Sequence, residues 1–171
     1  MNRKERRAAQ KQGKSGPPLA PGLSPTAMRT NLFASAVAHF RAGQLEPAER
    51  LCRDVLMFDR NHFDSLHLLG IIATRTGRLD AALELLGRAI AANDRSPECH
   101  FNLAQVFRAL GRLDDAAEHL NRASALKRDY AAAHLALADV LTQQGRLDQA
   151  RALRAHGGAR SPPRRGALRA G

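Results

Sequence analysis

The sequence predicts an all-α fold, a right-handed α-solenoid of stacked antiparallel helix hairpins with about three and a half repeats. Three observations lead there. Gly43, Gly77, Gly111 and Gly145 stand 34 residues apart, and a fixed period of that size marks a repeat array. Each opens the same short string: Gly43-Gln-Leu-Glu-Pro-Ala48, Gly77-Arg-Leu-Asp-Ala-Ala82, Gly111-Arg-Leu-Asp-Asp-Ala116 and Gly145-Arg-Leu-Asp-Gln-Ala150. Small residues also recur at fixed offsets, Ala36, Gly70, Ala104 and Ala138 before the glycines and Ala48, Ala82, Ala116 and Ala150 after them. Helices that cross closely need small side chains where they touch, so each period is helix, turn, helix.

Residues 1–28 form a basic leader with six Lys or Arg against Glu5 in the first fourteen positions. No apolar stretch follows the charges, so this is not a secretory signal, and Glu5 with a single Ser before residue 20 argues against a transit peptide. Disorder is the expectation for such composition. The first repeat is placed at 29–62, with Pro47 suited to a first helical turn. The second, 63–96, steps its apolar residues by three and four: Leu66, Leu69 and Ala73, then Leu79, Ala82, Leu83, Leu86, Ala89 and Ile90. The third is 97–130 and the fourth, incomplete, 131–155. In every copy the glycine ends the first helix in a left-handed cap. Glu46, Asp80, Asp114 and Asp148 then sit in the first turn of the second helix, where they complement its dipole. Residues 156–171 read as a disordered tail, because Gly157 and Gly158 stop a helix and Pro162 and Pro163 prevent another. With no polar capping helix, Leu147, Ala150 and Leu153 are expected to stay partly exposed, a route to self-association.

Composition narrows the function. The chain has 171 residues, 44% hydrophobic, but only 4% aromatic with no Trp, so its core must be aliphatic. Two cysteines cannot build a disulfide framework, which points to a reducing, cytoplasmic setting. The formal charge of +11 lies toward the two ends: six Lys or Arg against one acid fall within 1–14, six Arg and no acid within 151–171, and the stretch 15–150 is neutral. No specific nucleic-acid surface is therefore expected in the repeats. No apolar run approaches membrane-spanning length; the longest is Leu68 to Ala73. Phosphate loops, zinc-protease, serine-hydrolase and kinase signatures are missing from the sequence, so no enzyme activity, no cofactor and no metal site is expected. Of the seven histidines, His100 and His134 occupy equivalent repeat positions and read as structural. His62 and His67 have no third ligand, and His39, His119 and His156 look isolated. Cys52 and Cys99 fall within helices and read as small buried hydrophobes.

From about residue 29 to 155, these glycine, leucine, acid and alanine positions resemble the tetratricopeptide repeat family, whose unit is a 34-residue helix hairpin. Departures exist: the family's usual Trp at the fourth position is Leu32, Leu66, His100 and His134, and its proline near the repeat end is Arg60, Asp94 and Arg128. The resemblance implies a groove lined by the first helix of each repeat. Carried over position by position, that groove would hold Asp64, His67, Ile71 and Thr74 in the second repeat. Glu98, Phe101, Gln105 and Arg108 follow in the third, and Ala132, Leu135, Asp139 and Thr142 in the fourth. Phe33, Val37 and Phe40 would extend it, unless they pack under the segment from Leu19 to Met28. The Lys, Asn and Arg set of the family's carboxylate clamps is not reproduced, and of the asparagines that line O-GlcNAc transferase repeats only Asn102 has a counterpart. The expected function is a non-catalytic adaptor or scaffold binding a peptide or partner protein. The leader and first two repeats also resemble N-terminal regions of bacterial multi-repeat proteins. The alternative is thus a truncated or frameshifted recognition arm of a glycosyltransferase or methyltransferase.

Overall fold

A computed structural model gives the structure of residues 24–158. Among these residues are eight helices and no strand. They are α1 (Pro25–Arg41), α2 (Leu45–Phe58), α3 (Phe63–Arg75), α4 (Leu79–Ala92), α5 (Pro97–Ala109), α6 (Leu113–Leu126), α7 (Ala131–Gln143) and α8 (Leu147–Gly158). Successive helices pack in pairs, α1 on α2, α3 on α4, α5 on α6 and α7 on α8. The small residues do what the sequence requires of them: Ala36, Ala104 and Ala138 are buried before the turns, and Ala48, Ala82, Ala116 and Ala150 after them. No helix among the described residues is long and apolar enough to cross a membrane.

One turn joins every pair. Gly43, Gly77, Gly111 and Gly145 have φ of 75°, 75°, 72° and 77°, the left-handed region in which a Cβ is penalised. After α5, Gly111 donates its N–H to the Arg108 carbonyl at 3.0 Å and Arg112 donates to Phe107 at 2.9 Å, which satisfies carbonyls that a helix end leaves open. A Cβ added at Gly111 would meet nothing within 4 Å, so the backbone alone sets the cost of a side chain. Gly111→Ala is expected to destabilise by about 1–2 kcal/mol, and Gly111→Asn by less, because asparagine visits this region more readily. Urea midpoints of both variants check this; equal losses would point to a steric cause.

The starts of α1, α3 and α5 are capped by side chains. The Ser24 hydroxyl accepts from Ala27 N–H at 3.2 Å ahead of Pro25, and Ser96 accepts from Cys99 N–H at 3.1 Å ahead of Pro97. On α3 the acceptor is His62 Nδ1, 3.3 Å from Ser65 N. The Ser24-Pro25 signal corrects one expected boundary, since α1 begins inside the segment 1–28 assigned to a leader. At the other end α8 continues to Gly158, past the expected stop at 155, because glycine weakens a helix without forbidding it. The rest of the expected leader and tail, 1–23 and 159–171, lies outside the described residues.

The chain divides into two compact units, one ending at Asn93 and the other beginning at Asp94. The core of the first centres on Ala36, Ala48, Cys52, Leu68, Leu69 and Ile72. Here Arg78, just before α4, donates to both carboxylate oxygens of Glu49 on α2, at 2.9 and 2.7 Å. The Arg78 hydrogen bond, helped by Arg53 and opposed by burial, holds the Glu49 carboxyl below its ordinary range. The second unit buries Leu103, Val106, Leu120, Leu137 and Val140, an aliphatic core as the composition demands. In its last hairpin Ala150 is buried, contrary to expectation, because it is the small residue at the crossing with α7. Leu147 remains 51% exposed.

Candidate functional site

In the first unit, Asp64 on α3 is exposed while His67, Ile71 and Thr74 are half-buried. Phe63 leans on His67 with ring centroids 5.6 Å apart, and the Thr74 hydroxyl donates to the Gly70 carbonyl at 2.8 Å. That threonine is engaged by its own helix. Phe33, Val37 and Phe40 pack half-buried against the unit's core. The His62 ring meets Phe33 edge-on at 5.4 Å, and the Arg75 guanidinium lies 5.2 Å from the Phe40 ring centre. The apolar patch of α1 therefore faces largely inward.

The second unit holds the richer set. On α5, Glu98 is exposed and Phe101, Asn102, Gln105 and Arg108 are half-buried; on α7, Ala132, Leu135, Asp139 and Thr142 are all exposed, Leu135 to 54%. Phe101 packs against Tyr130, just before α7, with centroids 5.3 Å apart. Lys127 sits 5.0 Å from the Tyr130 ring centre and 3.7 Å from Glu98. Burial, and then the charge of Glu98, push the Tyr130 hydroxyl above its ordinary value. Asp139 is paired with Arg154 of α8 at 3.0 Å, and the Thr142 hydroxyl donates to the Ala138 carbonyl at 2.8 Å. Tyr130, Lys127 and Arg154 were not among the sequence-derived positions. They sit in a connection or on a second helix, so only packing brings them to the first-helix surface. The chain's single tyrosine was the available signal.

The groups that could carry chemistry are otherwise engaged. Cys52 and Cys99 are buried, and burial pushes each thiol up to about 12, far from a reactive thiolate. His100 and His134 share one role: Nε2 of each lies 3.0 Å from a backbone carbonyl six residues earlier, Asp94 and Arg128 respectively. His119 is not isolated, contrary to expectation; its Nδ1 lies 3.0 Å from Nδ1 of His100. No group of three or more His, Cys, Asp or Glu among the described residues is placed to hold a metal ion.

Two family models, both described as tetratricopeptide repeat, match residues 67–126 and 107–170. Curated protein sequences include no match. Among solved structures, the O-GlcNAc transferase of Thermobaculum terrenum is similar with 31% identity and a TM-score of 0.66, over 70% of this chain and 23% of that one. The chain thus spans less than a quarter of that enzyme. MamA residues 41 to the end from Desulfovibrio magneticus RS-1 show 16% identity and a TM-score of 0.73, covering 92% of this chain and 82% of that one. YrrB, described as a TPR protein with an unusual peptide-binding site, shows 18% identity and a TM-score of 0.71, covering 92% and 74%. The last two share the fold alone. The constant period, the glycine-turned hairpins and the two family matches agree: the chain belongs to the tetratricopeptide repeat family, helical solenoids whose repeats generally mediate protein or peptide interactions.

Proposed function

We propose that the chain is a non-catalytic adaptor whose second unit binds a peptide or partner protein on the side of α5 that carries Glu98, Phe101, Gln105 and Arg108. The observation that carries this reading is the Phe101–Tyr130 pair. An aromatic pair half-open to solvent, with Lys127 and Glu98 beside it and Arg108 two turns further along α5, combines the apolar anchor and charged rim of a binding hot spot. Leu135, 54% exposed on α7, offers a further apolar contact. His67 and Ile71 of α3 would give the first unit a separate contact of similar chemistry.

A displayed random-peptide library panned against the full chain tests this. For a selected peptide, Phe101→Ala is expected to weaken binding about 30-fold, equivalent to a hot-spot loss of about 2 kcal/mol. Arg108→Ala should weaken it less, with helicity by circular dichroism unchanged in both variants. Equal affinity for wild type and both variants would reject this surface.

The likeness to 23% of the transferase chain is what supports the recognition-arm alternative, and no observation on the repeats themselves favours it. Self-association through the last hairpin would engage Leu147 and should show as concentration-dependent mass in sedimentation.

A further inference from the structure

His100 on α5 is 5% exposed and stacks on His119 of α6, with centroids 5.3 Å apart and planes at 27°. His119 stacks in turn on Phe107, at 5.4 Å and 9°, and the Arg112 guanidinium lies 4.6 Å from the Phe107 ring centre. The hydrogen bonds fix where the protons are. A carbonyl only accepts, so the 3.0 Å contact with Asp94 requires His100 to carry its proton on Nε2. Its Nδ1 is then an acceptor, and the proton in the 3.0 Å Nδ1–Nδ1 contact belongs to His119. The two neutral rings are opposite tautomers.

This arrangement has room for one extra proton. On His119 Nε2 it leaves both hydrogen bonds in place. A second must go to His100 Nδ1, which already receives the His119 N–H, and would set two N–H donors and two cations face to face inside the hairpin. We propose that the His100–His119 pair is a one-proton latch between α5 and α6, which opens the hairpin when acid forces a second proton onto it. The carboxylates nearby do not relieve this. Asp115 is engaged by Arg112 at 2.8 Å, Asp94 by Arg122 at 3.6 Å, and Glu118 is exposed.

The first proton also carries a cost: burial, and then His100, lower the His119 value from 6.5, outweighing Glu118 and Asp115. The unfolded chain therefore binds more protons, so the stability from this group is complete above about pH 6.5 and is lost as pH falls toward the depressed folded value. Because α5 also carries Phe101, opening the hairpin would remove the proposed binding surface. That consequence rests on the adaptor reading; the latch and its test do not.

The test is imidazole nitrogen NMR on the full chain, with urea unfolding at pH 7.5 and 5.0. The expected result is Nε2–H on His100 and Nδ1–H on His119 at pH 7.5. On acidification the folded pair should take up one proton, and loss of the α5 and α6 resonances should accompany the second. His119→Gln offers a donor to His100 when that ring is neutral and an acceptor when it is charged. It should cut the acid-induced drop in urea midpoint by at least half. Identical tautomers, two protons bound with the α5 and α6 resonances intact, or an unchanged acid loss in His119→Gln would each overturn the proposal. If that variant does not fold, the wild-type tautomers and proton count decide.

Discussion

Leu86→Ala is expected to destabilise the first unit by about 2–5 kcal/mol, a large share of the roughly 5–15 kcal/mol that holds a small domain folded. Leu86 is fully buried on α4 and lies so close to α3 that its branch carbon occupies the space over Gly70. Truncation removes the transfer free energy of three carbons and leaves a cavity that two helices already in contact cannot close. Urea unfolding followed by helicity measures the loss. A cost below about 1 kcal/mol would mean that the hairpin repacks freely and that Leu86 is not its central contact.

Gly70→Ala is expected to destabilise too, although alanine is the better helix former by about 1 kcal/mol. A Cβ at Gly70 would stand 2.5 Å from Cγ and 2.6 Å from Cδ2 of Leu86. Cγ is the branch point of a fully buried side chain, so α3 and α4 must move apart, at an overpacking cost of about 1–3 kcal/mol that outweighs the helical gain. The background reverses the sign. With Leu86→Ala already present the added methyl enters the cavity, and Gly70→Ala should stabilise, giving a clear coupling in a double-mutant cycle. Stabilisation in both backgrounds would show that α3 and α4 do not approach this closely.

Much of the fold was legible because its signals are local. A positive-φ glycine, an acid in the next helix's first turn and a small residue at each crossing act within one hairpin, so a 34-residue period carries them intact. The start of α1 was also legible, in Ser24-Pro25, but the period drew attention to Arg29 instead. The candidate site was legible only in part. Position in the repeat indicates which residues lie on a first helix's outer side, but not what they meet there. Thr74 and Thr142 spend their hydroxyls on their own helices, and Asp139 is taken by Arg154. Phe101 gains Tyr130 and Lys127 as neighbours.

The histidines show the same division. Equivalent positions predicted a structural role for His100 and His134, and both close on a carbonyl at the preceding turn. His119 carries no repeat signal, since its partner sits on the facing helix, and its contact exists only once α5 and α6 are docked. By itself, then, the sequence determined the hairpins, their turns and their family, because those follow from backbone dihedrals and side-chain size within one turn of chain. The tertiary structure decided which polar groups remain available and which titratable groups meet, because contacts between different helices depend on packing distances that no single segment encodes.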